Sequence, residues 1–415
     1  MKKLTCMLLA LVLILAAVSS ASAEDYSGKK ITVTYNPDDT WNDIIKNYAA
    51  AAVAEAFPGL EVEYFENDST SLSLLAQTGD MPDIYYGAIS SQLLEADLIV
   101  PLNDYIDEEW LKASFSNPNF FYAPNGIMYT VASGSDCYYT GAFYYNKQMF
   151  EENDIKVPTN FDELLEAAKA FLDLGVERPI AFSSDMFMQS LLQECLTMLA
   201  PEAIDDLCSN KTDYNDPRIV EAFAKFQELF DIKAFGKGVA EIDNTMAIAM
   251  FNQGDIPMVY TMSWNSASVA EAPFEVGVTF IGAEDGKQYS QWGSFSTGWF
   301  MTRDTEDREL SAEVIKVLVD SEAKRNFAQG IVTNYKVDGQ PVFLFAIDEE
   351  RDALYNGVET WHNWLLFNCC DTPNMLAIMQ GLSNIYVEDV ASGMEDYRLA
   401  LQTAWETNTF FDLYK

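Results

Sequence analysis

Two carboxylates and a tryptophan lie together just after the first predicted strand of the sequence. Asp38, Asp39 and Trp41 follow the β-branched and aromatic run 31–35. Ligands of open α/β sheets bind at the carboxyl ends of strands. Carboxylates accept hydrogen bonds from hydroxyl groups, and a flat aromatic ring stacks on an apolar ring face. These residues are therefore candidates for non-covalent contact with a ligand, with the alternative that Asp39 and Thr40 only begin the next helix.

Further aromatic and polar candidates follow later predicted strands. Tyr86 and Ser90 come just past the third strand, at the equivalent edge of the sheet. Trp361 and Trp364 flank His362 in a segment without clear periodicity, near Cys369 and Cys370. This aromatic segment is either a loop-borne wall of a binding cleft or ordinary core packing.

The sequence contains little that points to catalysis. His362 is the single histidine, which leaves little room for Ser-His-Asp, Cys-His or histidine-rich metal chemistry. The 64 aspartates and glutamates will form carboxylate pairs by chance, so such pairs do not identify a glycosidase. No nucleophile elbow, phosphate-binding loop or zinc spacing is present, and we expect no metal or cofactor.

The elements that must position these residues alternate between strand and helix. Strands are predicted at 31–35 and 60–65, and helical spacing of apolar residues spans 44–57 before Pro58-Gly59 stops it. Thr40 and Asp43 are predicted to form a capping box for this helix. A further helix ends at Gly79, and a strand starts at Ile84 after Pro82 and Asp83. We interpret Asp83 as structural. The alternation predicts a mostly parallel sheet with helices on both faces.

Later segments continue this α/β pattern. Helices are predicted at 150–153, 161–174, 217–230 and 312–329, with Asp216 as the cap of the third. Strands are predicted at 143–147, 254–261 and 276–281. With 415 residues, the chain is long enough for two domains.

Several separated motifs resemble, in order, those of the bacterial extracellular solute-binding proteins of the maltose-binding type. They are the joint from Gly79 to Ile84, Tyr144-Tyr145-Asn146-Lys147 with Phe150, Val157 to Leu164 with Phe161 in place of the usual tryptophan, Met258 to Trp264, Gly277-Val278-Thr279, Ser321 to Ala328, and Ala391-Ser392-Gly393. Together they cover nearly all of residues 30–405. Tyr397-Arg398-Leu399 departs from the family pattern.

The resemblance implies an α/β, two-lobed periplasmic-binding-protein fold. Each lobe is then a mixed, mostly parallel sheet flanked by helices, with the ligand cleft between the lobes. The first lobe would comprise residues 24–138 plus 294–331, and the second residues 139–293 plus 332–415. Crossovers between the lobes would fall near 138–141, 292–296 and 330–335. The first two contain glycine, which suits a hinge.

The resemblance also implies particular ligand contacts. Trp264 matches the tryptophan that stacks on ligand in this family, and it follows a predicted strand, although core packing is the alternative. Tyr139 lies where the family places a polar contact at the first crossover, with hinge packing as the alternative. Trp292 and Ser294 flank the second crossover and complete the candidate set.

The N-terminus is typical of a secretory signal. Lys2 and Lys3 precede an apolar run at 7–18, and Ala21-Ser22-Ala23 resembles a signal-peptidase site. The run is too short for a membrane span. We expect cleavage after Ala23 and an extracytoplasmic location, either periplasmic or at the cell surface. The nearby Cys6 precedes the apolar run, so the sequence has no lipid-attachment box and we expect no lipid anchor.

Charge and cysteine content restrict the partners and the cross-links. A net charge of −39 disfavours nucleic acid and anionic lipid, and it fits either extracellular solubility or a cationic ligand such as a polyamine. Export permits disulfides. Cys195 and Cys208 could close a loop around Pro201, and Cys369 with Cys370 could form a vicinal pair. The odd number of cysteines after cleavage, which adds Cys137 to these four, argues against a full disulfide framework.

The hypothesis that follows is a monomeric binding subunit of an ABC sugar importer. It would capture a carbohydrate, of which an oligosaccharide is our first expectation, by hinge closure and deliver it to the permease. The second hypothesis keeps the fold but assigns a polyamine or peptide as ligand. The third is a secreted glycosidase, which catalytic turnover of a glycoside would support.

Overall fold

The strands in the described part of the chain form two separate mixed sheets and a small ribbon. The computed structural model describes residues 25–66, 72–89, 91–115, 118–122, 126–133, 141–184, 186–208, 211–281, 289–290, 297–331, 333, 335–337, 340, 345–355, 360–361, 385 and 390–407. The strands are β1 Lys30–Tyr35, β2 Glu61–Glu66, β3 Ile84–Ala88, β4 Ile99–Val100, β5 Gly141–Asn146, β6 Ile180–Ala181, β7 Met258–Met262, β8 Val276–Thr279, β9 Tyr289–Ser290, β10 Thr297–Thr302 and β11 Thr360–Trp361.

The helices connect these strands and cover the sheets. They are α1 Asp39–Asp43, α2 Ala50–Ala56, α3 Leu72–Thr78, α4 Ser91–Glu95, α5 Glu108–Ser114, α6 Lys147–Glu152, α7 Phe161–Asp173, α8 Met186–Leu199, α9 Pro201–Cys208, α10 Pro217–Asp231, α11 Asn244–Asn252, α12 Ser266–Val269, α13 Arg308–Ala328, α14 Ala346–Tyr355 and α15 Val390–Thr407. A π-helical segment, Ile44–Ala49, joins α1 to α2. Among the described helices, none combines the length and apolarity needed to cross a bilayer.

Each sheet contains one reversed strand. The first sheet has the order β2-β1-β3-β10-β4, with β1 parallel to β2 and β3 and with β10 antiparallel to both of its neighbours. The second has the order β6-β7-β5-β8, with β6 parallel to β7 and with β5 antiparallel to both of its neighbours. All other strands within a sheet therefore run the same way, which confirms the predicted mixed, mostly parallel α/β fold.

The two reversed strands are β10 and β5. Each is the first strand of its sheet after the chain has passed over from the other sheet. Val131 pairs with Trp299 in the first sheet, and Gly141 opens β5 in the second. After β8 the chain returns to the first sheet at β10. Later, Tyr335 pairs with Phe115 next to α5. The first sheet is thus assembled from segments that are distant in sequence.

Apolar side chains pack on the faces of both sheets. One cluster joins Ile31 and Val33 of β1 to Val314 and Leu318 of α13. On β5 the side chains alternate, because successive residues of a strand point to opposite faces. Phe143 joins the cluster with α7, α8 and α10, while Ala142 and Tyr144 join the cluster with α11.

Several local predictions are confirmed. Helix α3 is followed by Gly79, which has a positive φ of 77°, and β3 begins at Ile84 as expected. Asp83 is structural: its Oδ2 accepts hydrogen bonds of 2.8 Å from both the N–H and the hydroxyl of Thr32. Asp216 caps α10 by accepting from the Arg218 N–H at 2.9 Å.

The predicted capping box at Thr40 and Asp43 is wrong. Asp38 is the N-cap of α1, and its Oδ1 accepts a 2.9 Å hydrogen bond from the Trp41 N–H. Asp43 instead forms an ion pair with Arg325 of α13, with Oδ2 and Nε 3.0 Å apart. The helix begins earlier than the pattern indicated because a better-placed carboxylate precedes Thr40.

Candidate functional site

The carboxylates after β1 have different surroundings. Asp38 and Asp39 are both exposed at the carboxyl end of β1. Asp38 already uses one carboxylate oxygen to cap α1, whereas Asp39 lies in the first turn of that helix. The capping role alone explains an aspartate at position 38, without any contact to a ligand. A ligand role for either carboxylate stays a prediction.

Trp41 and Tyr86 form a buried aromatic cluster with Trp299. The ring centroids of Trp41 and Tyr86 are 3.7 Å apart, and those of Trp41 and Trp299 are 5.3 Å apart with nearly perpendicular planes. Trp41 is 7% exposed, Tyr86 3% and Trp299 0%. Trp299 lies opposite Tyr86 in the β10–β3 register, and its indole Nε1 is buried without a hydrogen-bond partner. We call these three residues the first-sheet aromatic cluster.

Trp264 has a more open environment in the second sheet. It lies in the 3₁₀ turn Ser263–Asn265, directly after β7, and is partly exposed. The Asn265 amide nitrogen donates to Thr261 Oγ1 at 2.9 Å. The Ser266 hydroxyl donates to the Ser263 carbonyl at 2.7 Å. These bonds fix the turn that carries the indole.

A buried ion pair supports this turn from the other side. Arg351 of α14 donates from Nη1 to Ser266 Oγ at 2.7 Å and to the Tyr144 hydroxyl at 3.1 Å. The same Nη1 lies 2.9 Å from Asp348 Oδ1, and both side chains are fully buried. Burial raises the pKa of Asp348, while the Arg351 guanidinium and the Ser266 hydroxyl oppose that rise. The chain around Trp264 is therefore fastened to α14.

A carboxyl group and a hydroxyl group lie at the same end of the second sheet. Glu194 of α8 lies beside the Tyr260 hydroxyl and accepts a hydrogen bond from the Gly141 N–H. Gly141 pairs with Met262, the last residue of β7 before the Trp264 turn. A Cβ atom at Gly141 would overlap both the Tyr260 hydroxyl and the Glu194 carboxyl group, so a larger residue would force these side chains to move. We call Glu194, Tyr260 and Gly141 the second-sheet polar cluster.

The second-sheet polar cluster holds a strongly perturbed carboxyl. Desolvation raises the pKa of Glu194 to about 8, although the Tyr260 hydroxyl and the Gly141 N–H lower it. Burial also raises the pKa of Tyr260 and that of the adjacent Cys195 thiol well above their usual values. Near neutral pH the cluster is therefore uncharged. An uncharged carboxyl and a phenol can both donate and accept hydrogen bonds, as binding to hydroxyl groups requires.

Several predicted site residues lie outside the described residues. They are Tyr139, Ser90, Trp292, Ser294 and Trp364, together with His362. The backbone of Trp361 forms β11, which pairs in parallel with β9 beside α8. Cys195 is free and buried, so the candidate disulfide with Cys208 is not formed.

Glu194, Tyr260 and Trp299 were missed by the sequence reasoning. Glu194 has a detectable signal, because it is an acidic residue between Leu192 and Cys195 in an apolar helix segment. With 64 acidic residues in the chain, that signal does not stand out. Among the described residues, no group of histidine, cysteine and carboxylate side chains has a metal-binding arrangement.

Comparison with solved structures gives proteins of the same fold at low sequence identity. One comes from a study of xylan utilization by the thermophilic bacterium Caldanaerobius polysaccharolyticus, with 17% identity, a TM-score of 0.68, and 90% of this chain and 99% of that chain covered. A chitin oligosaccharide binding protein has 19% identity and a TM-score of 0.66, covering 91% and 99%. Apo RafE from Streptococcus pneumoniae has 17% identity and a TM-score of 0.65, covering 92% and 100%. At these identities, the likeness concerns the fold alone.

Comparison with sequence families identifies the chain more directly. The sequence matches none of the curated proteins with which it was compared. The family model for bacterial extracellular solute-binding proteins matches residues 38–325, which is well over half of the chain and includes the second sheet and every strand of the first sheet except β1. This protein belongs to the bacterial extracellular solute-binding protein family.

Proposed function

We propose that this protein captures a carbohydrate, in the first instance an oligosaccharide, outside the cytoplasm for an ABC transporter. The observation that carries the proposal is the end of the second sheet. A partly exposed indole, Trp264, and the uncharged second-sheet polar cluster lie there together. An aromatic face for stacking and polar groups without net charge match a sugar better than a polyamine, which would require several ionised carboxylates.

The fold relatives support the same ligand class. The chitin oligosaccharide binding protein carries its ligand in its name, and RafE is solved in complex with raffinose. A similar solute receptor, AcbH, is described with an exclusive preference for β-D-galactopyranose. The shared ligand chemistry is a polyhydroxylated ring, and we extend that chemistry to this chain.

The mechanism we propose is hinge closure without catalysis. The lobes would comprise residues 24–138 plus 294–331 and residues 139–293 plus 332–415. A ligand that contacts both lobes only when they close shifts the open–closed equilibrium by its differential affinity. The closed monomer would then dock on the permease. We further propose export by the N-terminal signal, with cleavage after Ala23.

The ligand contacts remain a proposed set. Trp264 is the leading member because it is partly exposed on a turn that its neighbours hold in place. The other members are Tyr139, Asp38, Asp39, Trp41, Tyr86, Ser90, Trp292, Ser294, Trp361 and Trp364. For Trp41 and Tyr86, contact with ligand would involve only the small exposed fraction of each ring.

The test is a thermal-shift screen followed by isothermal titration calorimetry on the purified protein. The panel contains xylotriose, chitotriose, raffinose and galactose, with spermidine and short peptides as the competing class. A ligand that binds only the folded state raises the melting temperature. Saturable binding of a saccharide that chromatography finds intact supports the proposal. Binding of spermidine or peptide alone would replace the sugar by another solute, and a cleaved saccharide would indicate an enzyme.

A further inference from the structure

The place where the chain enters the second sheet is anchored by Glu194, a member of the second-sheet polar cluster. Glu194 of α8 accepts the Gly141 N–H, and Gly141 is the first residue of β5. Its neighbour Tyr260 lies on β7, across the strand pair from Phe143. The carboxyl of Glu194 therefore connects α8, β5 and β7 at one point.

Where the chain leaves the first sheet, a second glutamate side chain, which is buried, binds the backbone in a similar way. The Ser133 N–H donates to Glu322 Oε2 of α13 at 3.3 Å, and both residues are buried. Ser133 closely follows Val131, which pairs with Trp299 of the first sheet. The side chain of Glu322 thus holds the backbone where the chain leaves the first sheet, and Glu194 holds it where the chain enters the second.

We propose that Glu194 is a positioning residue for ligand capture: it holds the start of β5 through the Gly141 N–H, and the gain or loss of its proton makes ligand affinity depend on pH. This inference rests on the proposed function, because it requires a ligand that the two lobes enclose. Glu194 acts through the backbone that it holds and need not touch the ligand.

The direction of the pH effect follows from solvent exposure. Glu194 keeps part of its surface open to water. Closing the protein over a ligand removes water from this region, and loss of water favours the uncharged carboxyl. The pKa of Glu194, already about 8, therefore rises further in the bound state. By linkage, affinity is highest where Glu194 is protonated and falls as pH rises through 8.

The neighbouring groups leave Glu194 as the titrating member of the second-sheet polar cluster. Tyr260 and Cys195 have pKa values raised well above their usual values, so both stay neutral across this range. Tyr144, on the adjacent strand β5, also contributes to the raised pKa of Tyr260. Charged groups on the helices packed against α8 pair with one another: Lys225 with Asp162 and Glu228, and Arg218 with Asp206 and Asp216. The side chains of β9 lie outside the described residues.

The experiment measures the affinity of the tightest-binding panel saccharide by calorimetry at pH 7.0, 8.0 and 9.5. In the wild type, the dissociation constant should rise by somewhat under tenfold over this range if binding raises the Glu194 pKa by one unit. Glu194→Gln keeps an acceptor for the Gly141 N–H but cannot ionise, so its affinity should not vary with pH beyond the background of other groups. The N-terminal amine titrates in both proteins and cancels in the comparison.

A second variant tests whether a change in affinity comes from the protonation of Glu194 or only from a loss of folding stability. Tyr260→Phe keeps the ring but removes the hydroxyl that lowers the Glu194 pKa. The midpoint of the affinity change should therefore move to higher pH, a shift that lost packing would not produce. Thermal melting with circular dichroism checks that each variant is folded.

The two possible failures are distinguishable. If a saccharide binds and the wild type and Glu194→Gln have the same pH dependence, the proposed function stands and this inference is overturned. If no panel saccharide binds, the proposed function fails, and this inference fails with it.

Discussion

The first-sheet aromatic cluster and the region of the second sheet that contains Trp264 and the second-sheet polar cluster have opposite environments. Trp41, Tyr86 and Trp299 pack against one another and are almost completely buried. In the second sheet, Trp264 remains partly exposed and Glu194 and Tyr260 bring polar atoms to the same end. An aromatic residue after a strand therefore does not by itself mark a binding surface.

The difference has a local cause in the chain that follows each strand. After β1, the Asp38 cap starts α1 at once, and α1 places Trp41 over the sheet against Tyr86. After β7, the short 3₁₀ turn carries Trp264 instead, and Ser266 ties that turn to its own backbone and to Arg351. The same strand-end position thus leads to core packing in one sheet and to a supported, partly open indole in the other.

The largest effect should come from breaking the first-sheet aromatic cluster. Trp299→Ala removes a fully buried indole and should lower the free energy of unfolding by about 3–5 kcal/mol. Urea denaturation followed by circular dichroism measures this loss. Trp264→Ala is the matched control in the second sheet and should lose much less stability. Equal losses for the two variants would contradict the proposed difference between the clusters.

The next effect should be a pH dependence of stability that comes from Glu194 of the second-sheet polar cluster. The Glu194 pKa is about 8 in the folded protein and 4.5 as the ordinary value. Its contribution is therefore fully present below pH 4.5 and is lost as pH rises through 8. With allowance for partial exposure, we expect about 3 kcal/mol less stability at pH 9 than at pH 4.5 from this group. Urea denaturation across that range should give a flatter profile for Glu194→Gln. If the wild type and Glu194→Gln gave parallel profiles of stability against pH, Glu194 would not be the source of this pH dependence.

A smaller effect should appear in ligand binding at Trp264. Trp264→Ala should weaken binding of a panel saccharide by about 2 kcal/mol, because aromatic side chains often dominate the energy of a binding surface. Calorimetry measures the change, and Trp264→Phe, which keeps a flat ring, should lose less. Unchanged affinity in Trp264→Ala would place this indole outside the ligand site.

The smallest effect should separate Asp38 from Asp39. Asp38→Ala removes the N-cap of α1 and should cost about 1 kcal/mol of stability, whereas Asp38→Asn preserves a capping oxygen. Asp39→Ala should change stability by about 0.5 kcal/mol or less, as expected for an exposed site. Thermal melting compares the three variants. A loss in Asp38→Asn as large as that in Asp38→Ala would contradict the capping role, and weakened saccharide binding by Asp38→Asn would support a ligand role.

The sequence by itself determined the type of many of the elements and their alternation along the chain, since these depend on local patterns. Apolar spacing, the Gly79 stop and the Asp216-Pro217 start each act within a few residues, and the structure confirms them. The family resemblance, carried by motifs along the chain, is confirmed by the match over residues 38–325. The choice of Asp38 over Thr40 as the cap of α1 escaped this reasoning, because two competent caps lie two residues apart. Elements such as α8 and β10 were also not predicted.

Tertiary structure alone decided which candidate side chains are buried and which groups meet. Trp41 and Tyr86 are buried because β10, from more than 200 residues later in the chain, brings Trp299 against them. The raised pKa of Glu194 requires α8, β5 and β7 to converge on one carboxyl. Burial and desolvation depend on contacts between distant segments, whereas residue patterns report only what neighbours along the chain can do.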